Sequence, residues 1–166
     1  MTAKEYKIVF RCDASIQIGS GHVMRCLTLA DELSRQGAES FFICRQHDGS
    51  LIEILQQRGY QVYTLPLEHE HEHGLGIESE SKGTLAHADW LASTQHRDAE
   101  LSISIVKAIQ PDWLIVDHYA LDENWEKRLK PYCKKLMVID DLADRKHDCD
   151  VLLDQNFGRD PQDYAA

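Results

Sequence analysis

The sequence lacks the features that define several large classes of protein. No apolar run in its 166 residues approaches the roughly 20 residues that a transmembrane helix requires. Residues 1–6 contain no apolar segment of the kind found in a signal peptide. The five cysteines, an odd number without a C-x-x-C pair, are typical of reduced thiols rather than of a disulfide framework. We therefore predict a cytoplasmic protein with no membrane span.

Basic residues are in the minority. Lys and Arg total 18 against 28 Asp and Glu, which gives a formal net charge of −10. Nucleic acids and anionic membrane surfaces bind positively charged proteins, so neither is expected as a partner. Hydrophobic residues make up 43% of the chain, which is enough for the core of one domain.

Common motifs of nucleotide-binding and ester-cleaving enzymes are also missing. A dinucleotide fingerprint requires glycine where this chain has Met24. A P-loop requires Lys and then Ser or Thr after its last glycine, whereas His22 and Val23 follow Gly21. There is no Gly-x-Ser-x-Gly nucleophile elbow. These differences argue against the generic nucleotide enzymes.

What the chain does contain is an alternation of strand-like and helical patterns. Strands are predicted at 7–12, 39–44, 61–65, 113–117, 136–139 and 149–154. The first predicted helix begins after Gly21 and runs to Leu33. Further helices are predicted at 51–58, 96–109 and 122–130, with a helical turn at 84–91. This order predicts an α/β fold with a mainly parallel sheet and right-handed crossovers. Three cysteines within these elements are interpreted as packing residues: Cys12, Cys26 and Cys44.

The turn between the first strand and the first helix contains the strongest chemical signal. Gly19 and Gly21 flank Ser20, and glycine permits both positive φ and close approach of a ligand. His22 follows in the first helical turn, where the helix dipole favours a neutral imidazole and where anions bind. A neutral histidine at such a place has the properties of a general base. The alternative is an ordinary strand-loop-helix turn with a surface histidine.

A second candidate site follows the predicted central strand 113–117. That strand ends in Asp117, and His118 and Tyr119 come next. Ligands of open parallel sheets bind beyond the carboxyl ends of the strands, so these residues are expected on the same rim as the glycine turn. In the alternative interpretation, Asp117 caps local backbone and His118 is a satisfied, half-buried ring.

Two acidic stretches invite a metal interpretation. Glu and His alternate from Glu68 to His73, and Asp140, Asp141 and Asp144 follow the fifth strand. The first lacks a distant partner ligand, so we interpret 67–82 as a solvated, mobile insertion. The second lies next to basic residues, so turn capping and ion pairs are expected there. We predict no metal site and no cofactor.

The motifs taken together resemble one family. They lie at residues 11–15, 18–25, 117–119, 139–141, 149–150 and 153–156, and they include Gly-Ser-Gly-His and Asp-His-Tyr. The chain is similar to the UDP-2,4-diacetamido-2,4,6-trideoxy-β-L-altropyranose hydrolases of pseudaminic acid biosynthesis, which serves flagellin glycosylation. These hydrolases are related to spore-coat polysaccharide proteins and, more distantly, to the glycosyltransferase of lipid II synthesis.

The resemblance implies the N-terminal half of a GT-B fold, a three-layer Rossmann-like domain. Under it, residues 1–154 form this domain and 155–166 begin a linker to a missing C-terminal nucleotide-binding domain. Family members are about twice as long, as a two-domain plan requires. We therefore expect the chain to fold but, by itself, to bind UDP poorly and to turn over little substrate.

The resemblance also implies an activity and a set of residues. Members cleave the anomeric C–O bond of a UDP-sugar with inversion, and release UDP and the free sugar. His22 is implied as the general base for water and Tyr119 as a second catalytic residue. The implied substrate-binding residues are Asp13, Gly19, Ser20, Gly21, Arg25 and His118. A non-catalytic domain that binds a sugar or a partner protein remains an alternative, as does a GT-B glycosyltransferase or epimerase.

Overall fold

The structure is a computed structural model that describes residues 6–68 and 85–165. Six strands form one sheet in which all neighbouring strands are parallel. They are β1 (Lys7–Cys12), β2 (Glu39–Arg45), β3 (Gln61–Leu65), β4 (Trp113–Asp117), β5 (Lys135–Ile139) and β6 (Val151–Leu153). The α-helices in the described ranges are α1 (Gly21–Arg35), α2 (Ile52–Gln57), α3 (Gln95–Ile109) and α4 (Glu123–Leu129). The predicted α/β class is confirmed.

Side chains alternate between the two faces of each strand, so the sheet has two cores. One core includes Val9 of β1 and Trp125 of α4, both fully buried. The other includes Phe10 of β1 and Leu27 of α1. Helices therefore cover both faces and give the three-layer Rossmann-like arrangement. The cysteines predicted to be packing residues all lie buried in the second core: Cys12, Cys26 and Cys44.

Most predicted element boundaries lie within two residues of the observed ones. The sixth strand, predicted at 149–154, is observed as the shorter β6. The carboxylate of Asp150 accepts a hydrogen bond from the backbone N–H of Leu136 at 2.9 Å, so a side chain takes a ladder position before β6 begins. The helical turn predicted at 84–91 is a 3₁₀ helix, Ala88–Leu91.

The strand order places the candidate residues at one edge of the sheet. It reads β3-β2-β1-β4-β5-β6, so the direction of winding changes between β1 and β4. Cys12, the last residue of β1, pairs in register with Asp117, the last residue of β4. The carboxyl ends of β1, β4 and β5 thus meet at a topological switch point, where α/β proteins bind ligands. We call this edge the carboxyl rim.

Two predictions concern the ends of described segments. The insertion predicted at 67–82 lies outside the described residues apart from Leu67 and Glu68. Residues 155–165, predicted as the start of a linker, contain a short 3₁₀ helix, Pro161–Tyr164. The hydroxyl of Tyr164 lies 2.8 Å from Oδ2 of Asp154, so this segment contacts the end of β6. Within the described ranges no helix combines the length and apolar character that crossing a membrane requires.

Candidate active site at the carboxyl rim

The glycine turn forms an exposed entry to helix α1. Gly19 has φ of +79°, a conformation that favours glycine, and its N–H donates to the carbonyl of Ser15 at 2.8 Å. A Cβ atom at either Gly19 or Gly21 would meet no other atom within 4 Å. Ser20 is the N-cap residue but makes no side-chain capping bond. The first N–H groups of α1 therefore remain available to an anion, as predicted for this turn.

His22 is held from one side by a carboxylate. Its Nδ1 lies 2.6 Å from Oδ1 of Asp117, and the histidine is only 6% exposed. Nη2 of Arg25 lies 2.6 Å from the same oxygen and 3.2 Å from Nδ1. A carboxylate only accepts, so the shorter contact with Asp117 assigns the ring proton to Nδ1. Nη2 of Arg25 then donates to Asp117 and not to Nδ1. Nε2 then has the free lone pair that a base requires.

The second nitrogen of His22 is left without a partner inside the protein. Among residues 6–68 and 85–165, no group forms a hydrogen bond with Nε2, and the atom is not sealed from solvent. A proton acceptor at the rim is therefore oriented by Asp117 and open on the other side. The sequence placed His22 on this rim but did not indicate which carboxylate orients it.

Arg25 bridges two carboxylates. Its Nε and Nη2 form a bidentate pair with Asp117, and its Nη1 lies 3.1 Å from Oδ2 of Asp141. The hydrogen bond to Asp117 raises the pKa of Arg25, against the opposing effect of burial, so the guanidinium stays charged. Its side chain is 20% exposed. Arg25, predicted to bind substrate, therefore has most of its donors engaged within the protein.

Tyr119 lies against His22 and donates to Asp141. The two rings meet edge to face, with centroids 4.4 Å apart and an interplanar angle of 83°. The Tyr119 hydroxyl donates a hydrogen bond to Oδ1 of Asp141. Burial, followed by this hydrogen bond, raises the pKa of Tyr119 to about 12. Burial alone would raise the pKa of Asp141, but the hydrogen bonds from Tyr119 and Arg25 lower it overall.

Asp13 and His118, both predicted to bind substrate, lie beneath the rim rather than on it. Asp13 is fully buried, and its Oδ1 accepts from Nη1 of Arg11 at 2.7 Å. His118 is 2% exposed, and its Nδ1 accepts from the N–H of Ala120, so the ring proton lies on Nε2. That nitrogen is 3.1 Å from Oδ2 of Asp13. Burial lowers the pKa of His118 more than Asp13 raises it.

Two residues at the site had no assigned role in the sequence. The rings of His87 and Trp90 lie 4.3 Å apart, and their centroids are 5.5 and 5.8 Å from that of Tyr119. Aromatic residues three apart in a predicted helical turn were the only available signal. Asp141 was interpreted only as part of an acidic turn, because sequence alone did not show its contacts with Arg25 and Tyr119.

The acidic turn after β5 serves the roles that the sequence favoured for it. Oδ2 of Asp140 accepts from the N–H groups of Leu142 and Ala143 at 3.2 and 2.9 Å. Its other oxygen lies 2.8 Å from Nη2 of Arg145. Asp140 is thus a turn cap and an ion-pair partner. In the part of the chain that the structure describes, no group of three or more His, Cys, Asp or Glu residues could hold a metal ion.

The chain is similar to proteins of two organisms. It is 31% identical over 161 residues to the UDP-2,4-diacetamido-2,4,6-trideoxy-β-L-altropyranose hydrolase of Campylobacter jejuni, and the match covers 96% of this chain and 45% of the hydrolase, its N-terminal part. It is 25% identical over 134 residues to an uncharacterized protein of Methanocaldococcus jannaschii, which covers 81% of this chain and 21% of that protein. The chain thus spans less than half the length of these relatives.

A solved structure with the same fold is that of MurG from Acinetobacter baumannii. The TM-score is 0.53 at 10% identity, over 82% of this chain and 35% of that chain. MurG is a GT-B protein, so the fold of this chain corresponds to part of a GT-B architecture. No family model matches the chain.

Proposed function

We propose that this chain is the N-terminal, catalytic-base half of a cytoplasmic nucleotide-sugar hydrolase. Its proposed substrate is a UDP-linked diacetamido-trideoxy sugar of pseudaminic acid biosynthesis, the route that serves flagellin glycosylation. A second, nucleotide-binding half would complete the enzyme. The similarity to the Campylobacter hydrolase over 96% of the chain supports the substrate class. The observation that carries the chemistry is the contact of 2.6 Å between His22 and Asp117, with Nε2 left open.

In the proposed reaction, Nε2 of His22 accepts a proton from a water molecule as the water oxygen bonds to the anomeric carbon. The bond from that carbon to the diphosphate oxygen breaks, and the electron pair leaves with UDP. Attack on the face opposite the departing diphosphate inverts the configuration. Asp117 stabilises the imidazolium that forms, which favours proton transfer in the transition state.

The departing diphosphate gains negative charge and requires hydrogen-bond donors. The N-terminus of α1, which has no side-chain cap, supplies backbone N–H groups for this purpose. Water must lie within hydrogen-bond reach of Nε2, which the solvent access of that atom permits. The proposed hydrolysis requires no cofactor.

The test uses a chimera in which this chain replaces the matching N-terminal part of the Campylobacter hydrolase. The chimera is supplied with the UDP-diacetamido sugar in ¹⁸O-labelled water, and products are analysed by mass spectrometry. We expect the label in the sugar and not in UDP, because the anomeric C–O bond is the one that breaks. His22→Gln should lower the rate by about 10²- to 10⁴-fold with little change in UDP affinity.

Other outcomes reject specific parts of the proposal. An unchanged rate in His22→Gln rejects the base assignment. Label in UDP rejects cleavage at the anomeric carbon. If an added acceptor sugar is glycosylated and no free sugar forms, the protein is a glycosyltransferase. If the folded chimera binds the sugar nucleotide without turnover, a non-catalytic binding domain is the better description.

A further inference from the structure

His22 and Tyr119 are joined by a continuous series of charged contacts. Nδ1 of His22 contacts Asp117 at 2.6 Å, and the same oxygen of Asp117 lies 2.6 Å from Nη2 of Arg25. Nη1 of Arg25 lies 3.1 Å from Oδ2 of Asp141, and the other oxygen of Asp141 accepts the Tyr119 hydroxyl. The series crosses three parts of the fold, since Arg25 lies on α1, Asp117 is the last residue of β4, and Asp141 follows β5.

The chemistry of these groups determines where each proton lies. Arg25 has only donors and the two carboxylates have only acceptors, so every contact along the series has one direction. The proton of the Tyr119 hydroxyl therefore points at Asp141, and the ring proton of His22 points at Asp117. The Tyr119 hydroxyl oxygen and Nε2 of His22 can therefore each offer a ligand a lone pair, but not a proton.

Asp141 is held firmly enough to impose this arrangement. Its backbone carbonyl accepts from Nδ2 of Asn156 and from Nη2 of Arg159, both at 2.8 Å. Its side chain is 17% exposed, so water competes weakly for its oxygens. The pKa of Tyr119, raised to about 12, agrees with a phenol that keeps its proton at neutral pH.

We propose that Arg25 and Asp141 are positioning residues that hold Tyr119 as a hydrogen-bond acceptor beside the base His22. Tyr119 then receives an N–H or O–H group of the sugar and does not protonate the departing diphosphate. To act as a general acid it would first have to break its bond to Asp141. The identity of the ligand rests on the proposed function, whereas the proton arrangement is a property of the unliganded chain.

The arrangement at Tyr119 is tested by NMR on the full 166-residue chain with ¹³C-labelled tyrosine. The signal of Tyr119 is assigned by its loss in Tyr119→Phe and followed from about pH 8 to 11, where free tyrosine titrates near about 10. We expect Tyr119 to stay protonated over most of this range. In Asp141→Asn its pKa should fall toward the ordinary value, whereas the exposed Asp48→Asn control should leave it unchanged.

The arrangement at His22 is tested by ¹⁵N NMR of the imidazole at neutral pH. We expect one tautomer with the proton on Nδ1. Arg25→Gln should free Asp117 to rotate and produce a mixture of tautomers. Arg35→Gln, which removes an exposed arginine from the same helix, should preserve the single tautomer. Circular dichroism on each variant identifies any that fail to fold, and Arg25→Lys then replaces Arg25→Gln.

Both measurements can overturn the proposal. Titration of Tyr119 near pH 10 in the unaltered chain, or no response to Asp141→Asn, contradicts the acceptor role. A His22 ring protonated at Nε2, or an unchanged tautomer in a folded Arg25 variant, contradicts positioning by Arg25. Because neither experiment requires hydrolysis, a failure of the proposed function in the chimera is seen separately.

Discussion

Nδ1 of His22 lies 2.6 Å from Oδ1 of Asp117, although 95 positions separate the two residues in the chain. Asp117 also accepts hydrogen bonds from Arg25 and from the thiol of Cys26, which lies 3.7 Å from Oδ2 of Asp117. Arg25 and Cys26 lie three and four residues after His22 on α1, so both project from the same helix face as His22. One carboxylate at the end of β4 thus contacts three side chains from the first two turns of that helix.

The first prediction concerns Asp117→Asn. The amide keeps the shape of the carboxylate but stabilises an imidazolium poorly and also permits the wrong tautomer of His22. In the chimera we expect kcat to fall by about 10²-fold or more, with little change in UDP affinity. Steady-state kinetics and isothermal titration with UDP measure the two effects. Asp48→Asn is the control, and equal rates in both variants would contradict a role for Asp117.

The second prediction concerns this chain on its own. It spans 45% of the Campylobacter hydrolase, and the proposal assigns most nucleotide contacts to a second half. We expect the 166-residue chain to release UDP far more slowly than the chimera and to bind UDP weakly. A coupled assay for UDP compares the two proteins. UDP release at similar rates would show that the second half is dispensable.

The third prediction concerns the charges buried under the rim. Asp98 is fully buried and accepts hydrogen bonds from Nη2 of Arg11 and of Arg45, each at 2.7 Å, and from the indole of Trp125. Asp98→Asn leaves two guanidinium groups short of a counter-charge, so we expect a loss of about 3–5 kcal/mol in the free energy of unfolding. Urea denaturation measures it, and the exposed Glu100→Gln on the same helix should cost little.

The fourth prediction concerns the pH dependence of stability. Burial would raise the pKa of Asp13 and of Asp98, but the adjacent Arg11 and further polar partners lower both overall. A carboxyl whose pKa is lower in the folded state stabilises that state fully above its unfolded value of about 3.9. The contribution is lost as the pH falls through the folded-state pKa values.

We therefore expect the free energy of unfolding to fall steeply below about pH 4, and Asp98→Asn to flatten that fall. Urea titrations between about pH 3 and 7 test this expectation. An acid slope that is identical with and without the Asp98 carboxyl would contradict it.

The fifth prediction concerns the thiols. Burial raises the pKa of Cys26, and a thiol–thiol hydrogen bond together with burial raises those of Cys12 and Cys44. Burial also raises the pKa of Cys133 and Cys149 to about 11 each. Since the thiolate is the reactive form, we expect the three core thiols to resist a disulfide reagent at pH 8 and all five to react after denaturation. Fast native-state labelling of Cys26 would contradict its burial.

Much of the fold was predictable because local patterns and topology rules agree. Continuous apolar runs such as 113–117 indicate strands buried on both faces, and intervening helices force parallel pairing. The exact ends of the strands and helices were less predictable from the sequence, because they depend on tertiary contacts. Just before β6, for example, the N–H of Leu136 is bonded by the carboxylate of Asp150 and not by a backbone carbonyl.

The chain by itself determined the α/β architecture and the placement of His22 and Tyr119 on one rim, because parallel strands end on the same side. Only the tertiary structure decided which side chains contact one another at that rim and which are buried. It paired His22 with Asp117, placed Asp141 on Tyr119, and buried Asp13 and His118 beneath the surface. Side-chain contacts across three elements depend on distances of a few ångströms and on which group is shielded from water, and neither is encoded in the spacing of residues along the chain.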